Sequence, residues 1–150
     1  MRKLVIAIVL LIGPGLGAAR GESIGIGVFL GQPTGLDLKI PLQRRSALDI
    51  VIGATRFDEP RASYGHLQYL VLLGLARGQS VNVPFRLGVG VAVAGLTEDN
   101  TQIAARLPLQ VGLRFRRTPL EIYGEIAFIL VLIDDFDTDI DGGLGLRVYF

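Results

Sequence analysis

The chain has 150 residues, half of them hydrophobic and 19% charged, with a formal net charge of +1. That length suits one domain, and the near-even charge leaves no global pull toward nucleic acid. There is no Cys, which excludes disulfides, thiolate metal sites and a Cys nucleophile.

The first segment, MRKLVIAIVLLIGPGLGAARGES, reads as a secretory signal peptide. Arg2 and Lys3 supply the positive start, Leu4 to Ile12 the apolar run, and Pro14 and Gly15 the break. Gly17 and Ala19 are small residues at the spacing a signal peptidase takes. Residues 1–19 are therefore expected to be a leader cut after Ala19, and residues 20–150 the exported domain. The apolar run is shorter than the roughly 20 residues a spanning helix needs. No Cys follows it, so a lipid-anchored form is excluded.

From Ile24 onward the apolar residues recur with period two, the mark of strands. The segments in order are Ile24–Leu30, Leu36–Leu42, Leu48–Ala54, Leu67–Leu75, Val83–Val93, Ile103–Phe115, Ile122–Leu132 and Leu144–Phe150. The breaks between them are short and polar. QPTG at 32–35 fits a tight turn with Pro33 second and Gly35 fourth. The others are QRRS (43–46), FDEPRASYG (57–65), ARGQS (76–80), LTEDNT (96–101), RRTP (116–119) and DDFDTD (134–139). The spacing is that of an antiparallel meander of eight strands. Pro108 falls inside a strand where it cannot donate to the ladder, so a bulge is expected there.

One face of every strand is apolar, and the other carries glycine, alanine and charge. Gly25, Gly27, Gly31, Gly53, Gly74, Gly88, Gly90, Gly112, Gly143 and Gly145 lie on the second face. Exposed strands gain nothing from such residues, whereas a narrow lumen needs them. The charges on that face balance: Asp37, Asp49, Glu121, Glu125 and Asp141 against Lys39, Arg86, Arg106, Arg114 and Arg147. A closed interior requires that balance, because an unpartnered buried charge is costly. The expected fold is thus all-β: an eight-stranded antiparallel up-and-down transmembrane β-barrel with short loops. Its interior is plugged by those ion pairs, and its belt of Leu, Ile, Val and Phe meets lipid. Closure is what lets a sheet survive in hydrocarbon.

The chain ends GLGLRVYF, with Leu144, Leu146, Val148 and Phe150 on one face. A last strand with a terminal aromatic resembles the sorting signal read by the barrel-assembly machinery of bacterial outer membranes. Tyr149 and Phe150 are then expected in an aromatic girdle at the inner interface. The whole exported segment resembles the small outer-membrane β-barrel superfamily, the eight-stranded OmpA/OmpX type. GQPTGLDLKI near its start and GGLGLRVYF at its end look like a widespread group of bacterial outer-membrane barrels. The resemblance implies location in the outer membrane, contact with its lipid and lipopolysaccharide, and a monomer. Typical members carry long outer loops, whereas the longest gap here is roughly nine residues. With both termini in the periplasm, Arg44, Arg45, Arg77, Arg116 and Arg117 fall inside and the acidic connections outside. The acidic tips are read as solvated loop ends rather than cation sites bridging lipopolysaccharide phosphates.

The chemistry-bearing residues point to no reaction. DTDIDGG at 137–143 resembles a calcium loop, but the position that needs Glu is Val148, so it reads as a mobile acidic loop. His66, the only histidine, has Ser63 and Glu59 near it in sequence, and some outer-membrane barrels are lipid A deacylases or palmitoyltransferases that use Ser and His. At a loop–strand junction it reads instead as an interface residue. The expected role is structural or surface-interacting, without catalysis, cofactor or metal. The alternatives are a narrow channel, a lipid-modifying enzyme and a soluble periplasmic ligand-binding barrel.

Overall fold

In the computed structural model, residues 23–54, 63–96, 101–133 and 136–150 are described. The leader with its cut after Ala19, Glu59, and much of the three acidic connections lie outside the described residues.

Eight strands follow one another: β1 (Gly25–Gly31), β2 (Thr34–Gln43), β3 (Ser46–Ala54), β4 (Ser63–Arg77), β5 (Val81–Ala94), β6 (Gln102–Phe115), β7 (Leu120–Val131) and β8 (Thr138–Tyr149). Each pairs antiparallel with the next, and β8 returns to β1 to close the barrel. The closing seam runs from Gly25↔Tyr149 to Gly31↔Gly143, and the Phe150 amide donates to Ile24 O. The period-two sequence dictates these strands, because successive side chains point to opposite faces and only one register keeps each set together.

The faces are inverted relative to a soluble protein. Leu36, Ile52, Ile126, Leu144 and many other large apolar side chains are exposed around the outside. The inward positions hold Asp37, Lys39, Asp49, Arg86, Arg106, Glu121, Glu125 and Arg147, all buried. Apolar residues share the interior in two patches: Phe29, Val51 and Tyr123, and Tyr64, Ala92, Ala104, Ala127 and Ile129.

Several local expectations are corrected. Pro108 causes no bulge. The β6–β7 register runs unbroken through Pro108↔Ala127, and β5–β6 passes from Leu87↔Leu109 to Gly90↔Arg106 with no residue inserted. The ring points inward, and a Cβ on Gly88 would meet its Cγ at 3.1 Å. Pro84 repeats the arrangement against Gly112, at 3.0 Å. A glycine opposite each proline gives the ring room, so the missing N–H is absorbed without an extra residue.

Gly74 is not on the interior face. The register shifts between Leu72 and Gly74, which moves Gly74 opposite the outward Phe85. The first turn lies one residue earlier than expected: Gln32 and Pro33 join the strands through a cis peptide, and Thr34 Oγ1 bonds the Gly31 backbone. β4 and β8 begin earlier than the apolar runs do. Asp139 and Asp141 therefore sit in strand pairing with β7, not in a mobile loop. Tyr149 is turned into the lumen and buried, because it shares the parity of Arg147; only Phe150 remains outside.

Candidate functional site

The lumen is the chemically distinctive part of the fold. At its centre Arg147 on β8 donates from Nε to Asp37 Oδ2 and from Nη2 to Asp49 Oδ1, both at 2.6 Å. Asp37 lies on β2, one strand beyond β1, so the guanidinium passes over Gly27, which is paired between them. A Cβ on Gly27 would strike Leu146 O, so the strands close only around glycine here. Tyr123 and Phe29 repeat the pattern. Their rings stack at 5.9 Å across Gly145, whose Cβ would collide with the tyrosine ring. The Tyr123 hydroxyl donates to Asp37 Oδ2 at 2.7 Å, and the Arg147 guanidinium lies 3.8 Å from the centroid of the same ring.

Two flanking groups extend this centre. Toward the termini, Arg86 meets Glu121 through two bonds of 2.8 Å, the planar fork matched to a carboxylate. Arg147 Nη1 lies 3.6 Å from the same carboxylate. Toward the other mouth, Arg106 reaches Glu125 at 2.6 Å, Asp141 at 2.9 Å and the Tyr64 hydroxyl at 2.8 Å.

Gln68 and Gln110 join the two halves. Each Nε2 carries two hydrogens, and each donates to both Asp49 Oδ2 and Glu125 Oε2, at 2.6–3.0 Å. The result is a square of two amides and two carboxylate oxygens across the lumen. A connected path runs from Arg86 through Glu121, Arg147, Asp37, Asp49, the two glutamines, Glu125 and Arg106 to Asp141. Lys39 and Arg114 stand at the termini end, beside Tyr149. Lys39 Nζ is 3.4 Å from the Tyr149 hydroxyl, and the Arg114 guanidinium is 4.0 Å from its ring centroid.

The residues missed from sequence are Gln68, Gln110, Tyr64 and Tyr123. Their signal was parity: each occupies an inward position of a strand otherwise recognised by its apolar outward set. His66 is not the interface residue that its sequence position suggests. It lies within β4, faces inward and is buried, packed edge-on against Tyr64 at 5.8 Å. Neither ring nitrogen has a hydrogen-bond partner among the described residues. Ser63 has the opposite parity on β4, so the two side chains leave opposite faces of the sheet. They do not form the nucleophile–base pair that covalent catalysis needs.

Cavities open at the two mouths. One of about 260 Å³ lies above Tyr64, Ala104 and Asp141. One of about 390 Å³ lies beside Arg114 and Tyr149. The Asp37–Glu125 section between them is filled by the network. Among the described residues, no set of three or more His, Asp or Glu side chains is grouped to hold a metal ion. Leu144, Leu146, Val148 and Phe150, the expected assembly signal, form an exposed outward row on and just after β8. No protein-family model, curated protein or solved structure matches the chain.

Proposed function

We propose that this chain is an integral β-barrel protein of a bacterial outer membrane, with a structural or surface-interaction role and a lumen closed by ion pairs. The observation that carries the reading is the inversion of the barrel. Arg147, Glu121 and Asp49 are 0% exposed inside, while Leu36 is 70% and Ile126 63% exposed outside. Monomeric soluble proteins rarely show contiguous apolar patches above a few hundred Å². Here the apolar belt draws on every strand, as a lipid-facing surface does. Closure leaves no open sheet edge, as hydrocarbon demands. The filled central lumen favours a plug over a conduit. The outward C-terminal row fits recognition by the barrel-assembly machinery.

The test uses washed outer membranes from cells expressing the full chain. Boiled and unboiled samples are compared on SDS gels. The expected outcome is a band in that fraction whose mobility changes on boiling, as a detergent-resistant barrel unfolds. Release into the soluble periplasmic fraction would mean that the apolar belt covers something other than lipid.

A further inference from the structure

The two ends of the barrel differ in chemistry. Up-and-down pairing sends alternate connections to the same end, so Arg44 and Arg45 (β2–β3), Arg77 at the end of β4, and Arg116 and Arg117 (β6–β7) gather where Ser23 and Phe150 lie. The cavity of about 390 Å³ is at this end, lined by Asn82, Arg114, Arg116, Arg117, Thr118 and Tyr149 among others. No carboxylate of the described residues lines it.

Its side chains are set for an anion that also carries a hydrogen-bond donor. Arg114 is held against the Tyr149 ring. Arg116 Nη1 donates to Gly78 O at 3.2 Å, which holds at the mouth a guanidinium that carries five N–H donors. Arg117 is exposed beside it. Asn82 Oδ1 is shut off from solvent and accepts no hydrogen bond from the described residues. A buried acceptor of this kind takes its donor from a water or from a ligand group that reaches it.

Phe115 also lines this cavity, and it continues into the outward apolar row of Leu113, Ile122 and Val148. A soluble phosphate would make no use of that row, whereas acyl chains lying on it would deliver a headgroup to the arginines. We propose that this mouth binds an anionic phospholipid, its phosphodiester between Arg116 and Arg117 and a headgroup hydroxyl donating to Asn82 Oδ1. The site rests on the membrane reading above, and it turns the charge difference between the ends into a preference for one leaflet's lipid.

The test is native mass spectrometry of the protein purified from outer membranes in non-ionic detergent. Phosphatidylglycerol and phosphatidylcholine are added in turn, with inorganic phosphate as competitor. The expected result is retention of phosphatidylglycerol over phosphatidylcholine, reduced about tenfold in R116Q/R117Q. R44Q removes as much charge as R117Q from the same end, on the β2–β3 connection outside the cavity, and should keep the preference. The gel-mobility change on boiling verifies folding of each variant. If the double variant does not fold, R117Q alone, at an exposed side chain, should still weaken retention. A folded, membrane-derived protein that retains both lipids equally overturns the site but not the barrel's location. Displacement of the lipid by millimolar phosphate overturns the lipid assignment in favour of a soluble anion. A protein that never enters the membrane fraction overturns the location and this site together.

Discussion

Arg147 touches Asp37, Asp49 and the Tyr123 ring, and is completely enclosed. Its worth depends on what its removal leaves behind. A methionine in its place fills similar volume but strands the carboxylates of Asp37 and Asp49 in the lumen. Breaking a buried pair in this way costs about 3–5 kcal/mol. R147M is therefore expected to lower the urea midpoint of the detergent-folded barrel strongly. R147K should fall between, since an ammonium keeps the charge but loses the fork that spans both carboxylates. Equal midpoints for R147M and the wild type would mean that the lumen hydrates and the ion pairs carry no structural weight.

Along the strands, the glycines and prolines make sense only as partners. Pro84 and Pro108 both aim their rings into the lumen at the β5–β6 seam, and Gly112 and Gly88 sit opposite them. A Cβ at Gly112 would press on Pro84 at 3.0 Å and on the Glu121 carboxyl at 3.2 Å. Overpacking of this kind costs about 1–3 kcal/mol. G112A should destabilise within that range, and P84A/G112A by less than the sum of the two single changes, because the contact is shared. Strict additivity in a double-mutant unfolding cycle would show that the proline and glycine are placed independently.

The closed barrel as a unit turns one surface outward, and what that surface meets can be read by placing a charge on it. Ile126 lies on β7 next to Glu125, level with the glutamine square, and is 63% exposed. In a bilayer an arginine near the midplane of a barrel's outer face costs about 2–4 kcal/mol, whereas in water a surface substitution stays within about 0.5 kcal/mol. I126R is expected to unfold at a clearly lower urea concentration in lipid vesicles. No change would argue that this face is solvated.

The period of two carried most of the architecture. Strand number, antiparallel order and the identity of the two faces follow from alternation, since each side chain's direction is set by its parity along the chain. The same alternation put Asp37, Asp49, Glu121, Glu125 and Arg147 on one face, and their balance with the cations made a closed interior the economical reading. Partner choice was not legible, because it depends on closure. Asp37 meets Arg147 across β1, 110 positions away in sequence, only when β8 pairs with β1. The glutamine square likewise needs β3–β4 and β6–β7 to face each other across the lumen. The bulge expected at Pro108 and the inward face expected for Gly74 fail for the same reason: a proline's room is set by the neighbouring strand, and a register shift after Leu72 reverses parity without any mark in the residues themselves. Local periodicity decides which side a residue faces, and the register of strands distant in sequence decides what it meets there.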